Sequence, residues 1–194
     1  AHTYQSQLAK AYADIEVGIL MYPLWWGLAW QDIRQRYSRS IIGPFWITLS
    51  MAIMVSAMGP LYGFLFKQNV SDYIQYLAVS LIIWNFISNC INEAGNVFIS
   101  AEGYIKQVSL PLTTYVLKAL SRNILILVHN ILIGFLILLI IPPIDHLAIL
   151  LLPFGFILLV LNMFWIVLFI GMFSARFRDL PQLVTNIVQV LFFL

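Results

Sequence analysis

Trp30-Gln31-Asp32-Ile33-Arg34-Gln35-Arg36-Tyr37-Ser38-Arg39-Ser40-Ile41-Ile42-Gly43-Pro44-Phe45-Trp46 is the stretch on which the fold turns. Its three arginines fall within six residues, the densest positive cluster in the chain. They run straight into Ile41 to Phe66, which carries no charged residue. A basic collar abutting a long apolar run is how a membrane helix fixes which of its ends stays in the cytoplasm. Everything downstream takes its orientation from this junction.

Composition agrees. Of 194 residues, 62% are hydrophobic and only 9% charged, where soluble domains carry about 25% charge. Several apolar runs reach the ~18–20 residues that cross hydrocarbon. The fold class is therefore an all-α polytopic membrane protein. Cys90, the single cysteine, can form no internal disulfide and supplies no metal framework. The first residue is not Met and the last lies in an apolar run, which reads as a portion of a longer protein, truncated at least C-terminally. The N-terminus lacks the pattern of a cleaved signal peptide.

Upstream of the collar, Tyr4, Leu8, Tyr12, Ile15, Ile19 and Tyr22 fall on one helical stripe within residues 3–22, opposite Lys10 and Asp14. Such a helix lies in the headgroup region, or packs on a partner or on its own bundle. Pro23 breaks the pattern, and Trp25, Trp26 and Trp30 form a cluster of the kind found at membrane–water boundaries. Downstream, the first crossing is expected over Ile41 to Phe66, about 39 Å of helix. Pro44 falls in its first turn and Pro60 is its expected kink point. The second spans Tyr73 to about Ile91, the third 112–141, the fourth Leu147 to Phe173, and Gln182 to Leu194 begins a fifth. Asn92 to Pro111 is a mixed link, Pro142 to His146 a tight reversal, and Ser174 to Pro181 a charged turn. Residues 1–40 thus form a cytoplasmic amphipathic interface region and 41–194 a transmembrane domain incomplete at its C-terminal end. With the N-terminus inside, every basic residue but Lys67 falls on the inner side, a strong positive-inside pattern.

Three crossings carry polar stripes. Asn85, Asn89, Asn92 and Asn96 share a face of the second; Tyr115, Lys118, Arg122 and His129 mark the third; Gln182, Asn186 and Gln189 mark the fifth. An amide in hydrocarbon needs a partner, so these faces meet protein or water. They are either interhelical glue or the wall of a substrate path. Lys118 and Arg122 are expected at the cytoplasmic end, where they can snorkel. His129 reads as a satisfied packing histidine. A lining without fixed charge at mid-depth suits a hydroxyl-rich or weakly charged cargo. No G-x-x-x-x-G-K-[ST] run offers a phosphate cradle, and no motif indicates a metal or a dinucleotide. Any work must draw on a gradient or on another subunit.

Trp30-x-Asp32-Ile-x-x-Arg36-Tyr37-x-x-Ser40-x-Ile-Gly43-Pro-x-Trp46 resembles the approach to the first membrane helix in permeases of bacterial polysaccharide ABC exporters, which serve O-antigen (hence lipopolysaccharide biosynthesis), capsule and teichoic acid export within the type 2 ABC permease superfamily. Glu102-Gly-Tyr-Ile-Lys-Gln-Val-Ser-Leu-Pro111 is similar to that family's link between the second and third helices. Ser174-Ala-Arg176-Phe-Arg178-Asp179-Leu180 is similar to its link between the fourth and fifth. The resemblance covers about residues 25–194. It implies six membrane helices, five visible here, after an N-terminal amphipathic interface helix. It implies a homodimer in the bacterial cytoplasmic (inner) membrane, each half bound to an ATP-binding ABC subunit that holds ATP and Mg, with no cofactor or catalytic residue on this chain and no nucleic-acid partner. The N-terminal helix and the Glu102 link, with Glu102, Tyr104 and Lys106, would contact that ATPase. The cargo would be a lipid-linked polysaccharide on undecaprenyl diphosphate, threaded through a channel at the dimer interface.

Arg34, Arg36 and Arg39 would then receive the diphosphate headgroup as well as set topology. Tyr37, Tyr62, Tyr73 and Trp84 are channel candidates that could stack on sugars, beside Asn85, Asn89, Asn186 and Gln189. The alternatives are a type 2 ABC exporter of drugs or other lipids and a gradient-driven channel or carrier.

Overall fold

The computed structural model describes residues 2–141 and 146–193, with side chains placed from residue 7 onward except those of 146–149. Described residues form eight α-helices and no strand: α1 (His2–Leu20), α2 (Tyr22–Arg36), α3 (Phe45–Leu65), α4 (Val70–Ala94), α5 (Glu102–Gln107), α6 (Leu112–Ile140), α7 (His146–Arg176) and α8 (Leu180–Phe192). Four of them, α3, α4, α6 and α7, are long and apolar enough to cross a membrane. The protein is an all-α polytopic membrane protein.

The first crossing starts later than its uncharged run. Gly43 adopts φ +61°, a left-handed turn that favours glycine. Pro44 follows at φ −62° with its ring already in helical geometry. Ile41 to Pro44 therefore lie outside α3, whose 21 residues make about 31 Å, a match to the hydrocarbon core. The helix continues through Pro60. Upstream, Pro23 does not end helical structure. It occupies the first turn of α2, where a missing N–H costs little, and α2 carries the tryptophans and the start of the collar to Arg36. Helix α4 extends beyond its expected ends and takes in Asn92 and Glu93. Helix α7 likewise runs on to Arg176. The fifth expected crossing is α8, whose 13 residues come to about 20 Å, about 10 Å short of the ~30 Å hydrocarbon core. The reversal expected at Pro142 to His146 lies outside the described residues, apart from His146 opening α7.

Two compact units are distinguished by their internal packing: residues 1–32, 89–122 and 160–194 form one, and 33–88 with 123–159 the other. In the second unit, α3 buries Ile47, Met51, Val55, Gly59 and Gly63, one residue per turn along a single ridge. A Cβ on Gly59 would sit 2.5 Å from Ile74 Cγ1, and Gly63 lies equally bare against Val70. This is small-residue packing of membrane helices, with Gly59-x-x-x-Gly63 letting α3 and α4 close up. Polar groups here find partners across helices. Thr48 Oγ1 donates to the His129 carbonyl at 3.1 Å, Gln75 Nε2 to the Ile141 carbonyl at 2.8 Å, and Asn130 Nδ2 to Asn85 Oδ1 at 3.2 Å.

In the first unit, Gly171 backs onto Phe98, and Gly95 onto Pro181. These contacts join the segment after α4 to the C-terminal part of α7 and the first turn of α8. Val97, Phe98, Ala101, Ala94 and Cys90 are buried there with Val116, Ala119 and Leu120 of α6.

Candidate functional site

Helix α6 begins directly after Pro111, so its first N–H groups have no helical carbonyl to bond. Asp14 of α1 supplies the acceptor. Its Oδ1 takes the Leu112 N–H at 2.9 Å, and its Oδ2 takes the Thr113 N–H at 3.0 Å and the Thr113 hydroxyl at 2.7 Å. A carboxylate at this end is favoured by the helix dipole, as in an ordinary cap. Gly18, one turn further along α1, allows the contact, because a Cβ there would fall 2.7 Å from Thr113 Cβ. Trp25 Nε1 donates to the Gly18 carbonyl at 3.2 Å and fixes the elbow between α1 and α2. So α1 docks on its own chain through its polar side. The opposite stripe, Leu8, Tyr12, Ile19 and Tyr22, is exposed.

A second polar constellation gathers four charges from three helices. Lys118 Nζ lies 2.9 Å from Asp32 Oδ2, Arg122 Nη1 lies 3.2 Å from the same oxygen, and Arg122 Nη2 lies 2.8 Å from Glu93 Oε2. The four side chains are 22–31% exposed. Two bases and two acids cancel, which is what a partly desolvated cluster requires. Lys118 and Arg122 therefore do not snorkel to solvent as expected; they are held by carboxylates of α2 and α4.

Helix α5 stands out from this packing. None of its residues is buried, and Tyr104 is 69% exposed. Glu102 accepts from Lys106 Nζ at 2.6 Å and lies 3.3 Å from Arg178 Nη2 in the α7–α8 link. The Lys106 hydrogen bond and the charges of Lys106 and Arg178 hold the Glu102 carboxyl below the usual glutamate value. Two links separated in the chain by two whole helices thus meet at one exposed spot.

The collar behaves differently. Arg34, Arg36 and Arg39 are all exposed, and none makes an ion pair among the described residues. Arg34 and Arg36 sit in the last turn of α2, where cations favour the dipole. Tyr37, just beyond, is half-buried.

The channel candidates divide by environment. Tyr62 and Tyr73 are linked through Phe66, with ring centroids 5.9 and 6.1 Å apart, and Tyr76 extends the row at 6.3 Å. Asn85 accepts from Asn130 Nδ2 at 3.2 Å, a bond between α4 and α6. Trp84 and Asn89 are half-buried on α4. His129 Nδ1 lies 2.8 Å from the Leu125 carbonyl of its own helix, as a satisfied packing histidine would. On α8, Asn186 lines an open groove of about 630 Å³ with Arg178, Gln182 and the aliphatic side chains of Leu183, Ile187, Val190 and Leu191. Gln189 is exposed outside that lining.

Residues 23–194 match the ABC-2 type transporter family. The chain belongs to that family. No curated protein matches it. An ABC-2 permease is the membrane component of a transporter and is not itself catalytic, and membership implies an ABC ATPase as partner. The four apolar spans make this permease a multi-pass membrane protein. Three of its features carry little sequence signal: the cap from Asp14, the sharing of Asp32 and Glu93 by α6 bases, and the role of Asn130. Asn130 and the wholly buried Asn123 were readable only as polar residues among aliphatic neighbours on α6. The Gly59-x-x-x-Gly63 ridge is the one such feature with a motif of its own.

Proposed function

We propose that this permease is the transmembrane subunit of an ATP-driven exporter of lipid-linked polysaccharide, an O-antigen-like glycan on undecaprenyl diphosphate. It works as a homodimer in the bacterial cytoplasmic membrane, with the N-terminus cytoplasmic and the channel at the dimer interface. The observation that carries this reading is the open collar. Three arginines within six residues stand exposed and, among the described residues, make no ion pair with a carboxylate, beside the Trp30 to Trp46 pattern that resembles polysaccharide exporters. Guanidinium groups suit diphosphate because their planar fork pairs with two oxygens. The exposed α5, with Glu102, Tyr104 and Lys106, is the ATPase contact in this reading. Tyr37, Tyr62, Tyr73, Trp84, Asn85, Asn89, Asn186 and Gln189 are its glycan-facing candidates.

Deleting the gene tests it. Glycan should accumulate in the cytoplasm and return to the surface on complementation; normal surface glycan in the deletion strain contradicts the proposal. The groove on α8, where Leu183, Ile187, Val190 and Leu191 lie beside Arg178, Asp179, Gln182 and Asn186, favours a second reading, export of a drug or another lipid by the same family. An unchanged glycan profile with altered membrane lipid or drug sensitivity selects that second reading.

A further inference from the structure

The charge cluster has an asymmetry. Arg122 serves Asp32 on α2 at 3.2 Å and Glu93 in the last turn of α4 at 2.8 Å, whereas Lys118 meets Asp32 alone at 2.9 Å. One guanidinium therefore ties α2, α4 and α6 together. An ammonium has no planar fork with which to face two carboxylates. Beyond Glu93 the chain passes through residues 95–101, where Val97, Phe98 and Ala101 are buried, and enters α5. That segment is packed in place, with Phe98 against Gly171 and Gly95 against Pro181. A displacement of α5 is thus carried to the end of α4 with little slack.

We infer that Arg122 is the positioning residue of the ATP-driven cycle. It makes α2, the end of α4 and the start of α6 respond as one body when the ATPase moves α5. The inference rests on the reading of α5 as the ATPase contact. Movement reaches Glu93 through the packed 95–101 segment, crosses to Arg122, and passes to α2 through Asp32. Lys118 reinforces the α2–α6 arm but has no arm to α4. Removing Arg122 deletes the ion pair by which α4 joins the cluster; removing Lys118 leaves all three helices joined.

The test compares Arg122→Met with Lys118→Met in the complex of this chain with its ATPase. Each substitution deletes one positive charge, one helical turn apart, so an orientation role predicts equal effects. The inference predicts that Arg122→Met assembles and hydrolyses ATP within about twofold of the parent while surface glycan falls about tenfold, with Lys118→Met near the parent in both. Equal losses overturn it, as does an Arg122→Met complex that exports normally. If Arg122→Met fails to assemble, Glu93→Gln decides instead, since it keeps the shape of the side chain and removes the charge of the α4 arm. A cargo-independent arm places spin labels at Gln31→Cys on α2 and Gln107→Cys on α5 in a Cys90→Ala background. ATP binding should leave their separation unchanged with Arg122 and Glu93 intact and alter it in Glu93→Gln. The same response in both overturns the inference. A parent strain that exports no glycan sinks the cargo reading and leaves this distance test standing.

Discussion

Lys118 and Arg122 on α6 face carboxylates within 3.2 Å, while Arg34, Arg36 and Arg39, at the end of α2 and just beyond it, are exposed and make no ion pair among the described residues. Both sets read alike in a charge count, since each is basic and each flanks an apolar run. Their surroundings separate them. The α6 pair is partly withdrawn from solvent and must be neutralised from within the chain, which makes it a joint. The collar keeps its charge available to an anion from outside, such as a diphosphate or an acidic lipid surface. A positive residue near a membrane helix can therefore be structural or receptive, and its carboxylate neighbours tell which.

The sharpest way to break this comparison is stability. Asp32→Ala leaves Lys118 and Arg122 facing each other without their shared acid, and should destabilise the detergent-solubilised protein by about 2 kcal/mol, below the cost for a fully buried pair because the site is partly wet. Alanine at Arg34, Arg36 and Arg39 together should leave the thermal midpoint nearly unmoved, each exposed change staying within about 0.5 kcal/mol. If the two variants melt alike, the division between joint and collar fails. A smaller effect is expected at the α1 anchor. Asp14→Ala removes the acceptor for three α6 donors and should cost about 1 kcal/mol, read as earlier proteolysis of α1. Unchanged protection of α1 would count against the cap.

The smallest effect concerns pH. Glu102 has its folded value depressed by Lys106 and Arg178, so the stabilisation it lends α5 is fully present above the ordinary glutamate value. It is lost as pH falls through the lowered value. The protection factor of α5, its hydrogen exchange corrected for the intrinsic pH dependence, should thus fall on acidification into that range and be flat from there to neutrality; Glu102→Gln should erase the step. The site is exposed, so global stability should barely respond.

The spans were legible because hydrocarbon demands long uncharged runs; Val70–Ala94 and His146–Arg176 contain the runs expected of them, and Leu112–Ile140 matches the expected 112–141 to within one residue. Boundaries were legible only where local chemistry was decisive. Ile41 and Ile42 look like membrane residues, yet the positive φ of Gly43 stops the helix short of them. The tryptophan segment was obscured for a related reason: Pro23 reads as a breaker until its position in the first turn of α2 is known.

The joint could not be read at all. Asp32 and Arg122 are 90 residues apart in the chain, and nothing local in Asp32, set among arginines, says that it turns to α6. The collar's freedom was equally invisible, because Asp32 sits four residues before Arg36 on α2, at a spacing where an ion pair is expected, and spends its charge elsewhere.

The measurement that tests the account most directly is binding of a polyprenyl diphosphate to the purified transporter in nanodiscs of neutral lipid, titrated for the parent, the collar triple-alanine variant and Lys118→Met. Loss of the three collar arginines should weaken binding at least about tenfold, and the weakening should shrink as salt is raised, while Lys118→Met binds as the parent does. Undiminished binding without the collar, or equal weakening from Lys118→Met, would contradict it.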